Sequence, residues 1–181
     1  MTKIVLATSH PPKDQIKKVN QKPSKEQIKK AFDACIEHEG IGLSAVQIGI
    51  NESWFVLLNG SVKEGLPINL YCNPEYKFVK TSTEENNEEF YGDNEFDLQT
   101  EGCLSVPGFP IKVKRAKSII AEWSEWNEQT NEEVKHSSLL QNFEARVFQH
   151  ETDHCNGVTI LDRGFLSREE RRKITKSLKK K

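Results

Sequence analysis

Two histidines one helical turn apart with a glutamate beside the first, His150-Glu151-x-x-His154, are the residues of this chain whose types and spacing most directly suggest chemistry. On a helix, positions i and i+4 share a face, so both imidazoles can reach one metal ion. Glu151 then lies close enough to handle the proton of a water at that ion. The bland alternative is a pair of core histidines on an amphipathic helix. Two ligands do not complete a site, and two cysteines compete for the third place. Cys155 follows His154 directly, and on the same helix it points about 100° away from the histidine face. Cys103 sits between Gly102 and Leu104-Ser105-Val106-Pro107, a non-helical stretch free to cross the helix. Two imidazoles and one thiolate with a fourth position open to water form a catalytic arrangement. A closed four-ligand set would be structural and would leave Glu151 without work.

The elements that must position these groups can be read from periodicity. Leu140, Phe143, Val147, His150 and His154 form one stripe at spacings of three and four, predicting a helix that starts at the Ser138/Gln141 capping box and stops at Gly157. Upstream, Ser24 and Gln27 open a helix whose apolar stripe is Ile28, Ala31, Phe32 and Cys35, with Gly40 as its left-handed cap. His38, at the polar end of that helix, reads as solvated. The segment Gly40-Ile41-Gly42-Leu43-Ser44 predicts a backbone that something approaches closely. Residues 54–58, 68–72, 111–113 and 118–123 read as strands, the second ended by Asn73-Pro74, with a hairpin turn through Asn127–Asn131. Residues 1–22 read as an irregular arm. Residues 81–100, rich in Asp and Glu without Lys or Arg, read as a solvated loop or hairpin tip. Val158–Leu161 reads as a short strand or loop. A basic last helix begins at Ser167, and its apolar side, Ile174 and Leu178, predicts weak docking.

Composition bounds the rest. With 181 residues, 35% of them hydrophobic, the chain can bury the core of one domain, 1–181. A net charge of −1 points to no particular polyanionic or membrane partner, no DNA partner is expected, and no run is apolar enough to span a membrane. The mean hydropathy of −0.66 fits a polar surface. Four scattered cysteines without a C-x-x-C pair suit a reducing compartment, and no signal or transit peptide is evident, so a cytoplasmic location is expected.

Three stretches taken together, Gly40–Ile48, Glu101–Ser105 and Gln149–His154, resemble in order and spacing the signature motifs of peptide deformylases. Val113-x-Arg115 and Gly157…Asp162-Arg163 extend the likeness over most of residues 24–165. Ser44, Val46 and Cys155 depart from the residues usual in that family. The resemblance implies an α+β fold, with small antiparallel sheets around a central HExxH helix, a helix in the N-terminal half and one at the C-terminus. It implies hydrolysis of the N-formyl group from the initiator methionine of nascent chains, releasing formate. Cys103, His150 and His154 would bind one divalent metal, Fe2+ above all, with Zn2+, Ni2+ or Co2+ as substitutes. Glu151 would be the general base and acid, and Gln47 with the Leu104 backbone N–H would meet the oxyanion. Gly42 would admit the substrate backbone as an added strand, and Val147 would line the methionine pocket. Arg115 would pair with Glu101 or Asp153 in support of the ligands. The basic tail reads as a solvated lysine-rich surface on charge alone, and contact with ribosomal RNA is the other reading.

Two other readings use the same residues. An HExxH metalloprotease would take a further ligand downstream, where only Asp162 is available, and would leave Cys103 unexplained. A metal-stabilised binding module without turnover would make Glu151 dispensable.

Overall fold

The computed structural model describes residues 2–58, 68–79, 81–82, 89–90, 95–127 and 129–180. Residues 83–88 and 91–94 of the acidic stretch 81–100 therefore lie outside the described residues. Helix α1, Lys25–Glu37, carries both bonds of its Ser24/Gln27 capping box. Strands β1 (Gly42–Ser44), β2 (Trp54–Leu58) and β3 (Ile68–Phe78) follow, then the short β4 (Thr81–Ser82) and β5 (Glu89–Phe90). β6 (Phe96–Glu101), β7 (Ile111–Ala116), β8 (Ser118–Trp126) and β9 (Glu133–Gln141) lead into helix α2, Asn142–Cys155. A short α3, Ile160–Arg163, and α4, Arg168–Leu178, close the chain. The architecture is α+β: an antiparallel five-stranded sheet in the order β1-β2-β3-β8-β9, with β4-β5 and β6-β7 as separate antiparallel pairs.

Several boundaries differ from the periodicity. Ser138 does not cap α2; it lies in β9 and pairs with Ala121 of β8, and the helix begins four residues later behind Gln141. Leu140 reaches the core from this strand, because pairing with β8 satisfies the backbone that a capping box would have satisfied only in part. β3 continues through Asn73-Pro74 by way of a bulge at which Asn73 takes φ 49°. Residues 96–100 form β6 against β7 rather than a loop. Ile160–Arg163 is helical, opened by a Thr159/Asp162 capping box. After α1 it is Glu39, at φ 55°, that turns left-handed, one residue before Gly40. The last helix docks firmly: Ile174 and Leu178 are buried among Val106, Ile111, Val113 and Ile160, each contributing about 1.5–3 kcal/mol.

Helix α2 is held on two sides. Phe148 packs edge-to-face on Phe55 of β2, 5.4 Å between centroids, in a cluster with Ile119, Ala121, Ala145 and Cys155. Toward the β6-β7 pair, the buried Gln149 amide accepts from Ala116 N–H at 3.1 Å and donates to Ala116 O at 2.9 Å. That two-point bond fixes the rotation of the helix about its axis, and with it the direction of the neighbouring His150.

Candidate active site

His150, Glu151 and His154 project from α2 toward the turn that follows β6. There Cys103 meets them: candidate ligand atoms of Cys103, His150 and His154 all lie within 4.8 Å of one another. Cys103 Sγ is 3.3 Å from His154 Nε2. Cys155 lies instead in the Phe55/Phe148 cluster, where burial pushes its thiol pKa up. One cysteine sulfur and two imidazoles at this spacing are a donor set fit for one divalent ion.

The charges around the set suit a cation. His150 Nδ1 is 2.9 Å from Glu101 Oε2, so its Nε2 is left for a ligand role. Burial opposes charge on His150, but its bonds to Cys103 and Glu101 raise its pKa to about 10. The field that holds a proton there would also attract a dication. His154 is pushed the other way, by burial and by neighbouring His150, and stays a neutral donor. Glu101 is buried and would resist ionisation, yet its bonds to His150 and Arg115 hold its pKa at about 2.

Arg115 pairs with both predicted partners. Its Nε and Nη2 donate to Glu101 at 2.9 and 3.0 Å, and its Nη1 donates to Asp153 at 2.5 Å. Asp153 also receives Arg163 at 2.9 Å. Arg146, one turn before His150, donates to Glu101 at 2.6 Å and to Asp97. An ionised carboxylate in this place depends on these guanidinium groups, since unpaired burial costs several kcal/mol.

Glu151 is buried, and its Oε2 has no hydrogen-bond partner among the described residues. Burial, with Glu101 adding to it against His150 and Arg115, raises its pKa to about 7, the range in which a carboxylate exchanges protons readily. Gln47 faces it from the turn after β1. Its Oε1 accepts from Ser44 N–H at 2.9 Å and from Ser44 Oγ at 3.1 Å, and this fixes the amide orientation. The Nε2 end then points inward, 3.2 Å from Ser105 Oγ and 3.8 Å from Cys103 Sγ. Gly42, Gln47, Cys103, Leu104, Val147, His150 and Glu151 all line one cleft of about 610 Å³. Val147 is half-buried in its wall. Among the described residues β1 is an edge strand that pairs only with β2, and Gly40–Gly42 border the cleft. A Cβ at residue 42 would lie 2.6 Å from Leu57 Cδ2 and 2.9 Å from Glu151 Oε1.

Four supporting residues escaped the sequence reading. Arg146 could have been found from its i−4 spacing to His150. Ser44 stands out in the sequence only as a departure, and Ser105 only as part of a motif. His10 carried no local signal: it lies in the N-terminal arm, yet its ring is 5.0 Å from that of His154.

With this geometry in view, comparison with known proteins gives one answer. A profile of the polypeptide deformylase family matches residues 2–172, and so takes in the N-terminal arm and part of α4 as well. The peptide deformylase of Aquifex aeolicus is 34% identical over 165 residues, covering 89% of this chain and 86% of the relative. That of Thermotoga maritima is 34% identical over 142 residues, covering 76% and 73%. A plant peptide deformylase crystal structure superposes with a TM-score of 0.72 at 27% identity, over 99% of this chain and 88% of that one. Among the described residues no helix is long and apolar enough to cross a membrane. The cysteine and paired histidines, the edge strand and the matching profile have one common explanation: this chain belongs to the polypeptide deformylases.

Proposed function

We propose that the deformylase activity of this chain is carried by the cleft between β1, the Cys103 turn and α2, with Glu151 as the group that moves the proton. The observation that carries this reading is a buried Glu151 oxygen, without a hydrogen-bond partner among the described residues, at a cleft beside three metal-competent side chains. Cys103, His150 and His154 would hold the metal, which would supply Lewis acidity, activating a water and polarising the formyl carbonyl. The metal is Fe2+ on the likeness to the family, and the mixed thiolate and imidazole donors also suit Zn2+, Ni2+ and Co2+.

The substrate is the formylated amino end of a nascent peptide. Its backbone lies along the free edge of β1, hydrogen-bonding as an extra strand past Gly42, with the methionine side chain against Val147. Glu151 takes the proton of the attacking water and delivers it to the amine nitrogen as the C–N bond breaks, leaving formate. The Gln47 amide and the Leu104 backbone N–H donate to the oxygen that becomes negative. Glu101, Asp153 and Arg115 keep His150 and the end of α2 in place. A substrate of this kind places the enzyme in the compartment of translation. The basic residues of α4, Arg172, Lys173 and Lys176 among them, offer a surface for ribosomal RNA, which salt-dependent co-sedimentation with ribosomes tests.

The decisive assay is formate release from a formyl-Met-Ala-Ser peptide by protein purified anaerobically with Fe2+ or Ni2+. The parent enzyme turns over, and Glu151→Ala loses about 10²–10⁴-fold in kcat at unchanged metal content. Equal turnover in both would remove Glu151 from its role, whereas no formate from the parent would sink the deformylase reading and leave a passive metal-binding module.

A further inference from the structure

The reaction as described makes no use of the N-terminal arm, yet the arm is bonded into the back of the site. Val5 N–H donates to Gln47 O at 2.8 Å, and Ala7 N–H donates to Ser105 O at 2.9 Å. On the far side of His10 the arm presses on the end of α2. Gly157 takes φ 70° there, and a Cβ on it would meet Lys13 N, Pro11 O and Pro12 C at 2.8, 2.9 and 3.1 Å. His10 is thus pinned from both directions along the chain. Its ring packs on that of His154, tilted by 52° at 5.0 Å, and its Nε2 lies 2.9 Å from Ser105 Oγ and 3.2 Å from Val5 O.

Ser105 is fully buried, so this hydroxyl answers to few partners. His10 sets its direction, and Gln47 Nε2 rests on it at 3.2 Å. The Gln47 amide has two N–H groups. Anchoring one on Ser105 aims the other toward the thiol side of the cleft, where Cys103 Sγ lies at 3.8 Å. Without that anchor, only the Ser44 bonds to Oε1 hold the amide, and its Nε2 end can swing.

We propose that His10 is a positioning residue with two separable actions: through Ser105 it aims the Gln47 amide, and through its ring it backs the ligand His154. It touches no substrate. The inference rests on the reading of Gln47 as oxyanion donor and His154 as ligand, and the test keeps the two apart.

His10→Phe keeps a ring and loses the hydrogen bond, whereas His10→Gln keeps a hydrogen-bonding end at a similar reach and loses the ring. Both are compared with the parent, Ser105→Ala, His10→Phe/Ser105→Ala and Gln47→Ala. The readouts are kcat and KM per bound metal, and the rate of metal loss to a chelator. The expected result for His10→Phe is a kcat lower on the order of tenfold, with KM and metal-loss rate within about twofold of the parent. His10→Gln should restore kcat to within about threefold yet lose metal on the order of tenfold faster. Ser105→Ala should match His10→Phe, and the double variant should be no worse than either, because both cut one chain of contacts. Unchanged kcat in His10→Phe, or losses that add in the double variant, would overturn the inference. A purely structural role predicts lower thermal stability in every His10 variant with kcat per bound metal unchanged, which also overturns it. Should Gln47→Ala keep parent-like kcat, the oxyanion assignment itself is at fault, and that result reads independently of His10.

Discussion

Replacing Gly42 by alanine separates two roles that one glycine could serve. The new methyl would stand 2.6 Å from Leu57 Cδ2 and 2.9 Å from Glu151 Oε1, and ordinary contact begins at 3.4 Å. Both neighbours are ends of flexible side chains, so relief by rotation is available and the fold should lose only about 1 kcal/mol. The catalytic cost differs, because Glu151 has to retreat by about 0.5 Å to regain ordinary contact. A displacement of about 1 Å costs about 10²-fold in rate, and half of that about tenfold, or about 1.4 kcal/mol of barrier. Formate release by metal-saturated Gly42→Ala should therefore show kcat down about tenfold with metal content and melting temperature near those of the parent. If kcat holds and only KM rises, Gly42 serves substrate approach alone and the argument from Glu151 crowding is wrong. Parent-like values for both would refute the close packing itself.

Other expectations follow from the same geometry. Cys103→Ala should lose stoichiometric metal while Cys155→Ala retains it, and elemental analysis of the purified variants decides; the reverse pattern would refute the ligand choice. Arg146→Met leaves Glu101 short of a guanidinium partner and should cost about 3 kcal/mol in urea unfolding, against less than about 1 kcal/mol for an exposed charge such as Lys29→Met. Glu101 carries a folded pKa of about 2, held down by His150 and Arg115 against the cost of burial. Because the folded value lies below the unfolded one of about 4.3, its stabilisation is present above that pH and is lost as pH falls toward 2. Metal-free Glu101→Gln should show a flatter loss of stability between about pH 4.5 and 2 than the parent; parallel curves would show that another group dominates.

Much of this site was legible because its chemistry lies in short local patterns. The His150-Glu151-x-x-His154 spacing and the exclusion of Cys155 depend only on helix geometry, and the structure places Cys155 in the Phe148 cluster as that geometry requires. Strand pairing was less legible. Ser138-x-x-Gln141 satisfies the rule for a helix start, but β8 offered its backbone a full set of partners and the sheet took precedence. The apolar side of α4 looked meagre when counted along the helix. Its two large residues carry the docking because they enter a pocket already built by β7 and α3. His10 could not be found at all by spacing, since what makes it part of the site is a contact with Ser105, 95 positions away.

That separation has a consequence for how the protein assembles. Synthesis makes the arm first, but its bonding partners on the Gln47 turn, the Cys103–Ser105 segment and the end of α2 exist only after most of the chain has been made and folded. The entropy of closing so long a loop grows slowly with length, about 0.6 kcal/mol per doubling, so the delay is kinetic more than thermodynamic. Contacts of such high sequence separation form late on the folding path. Regain of activity on refolding should accordingly lag the regain of helix and sheet signals and follow the docking of the first dozen residues.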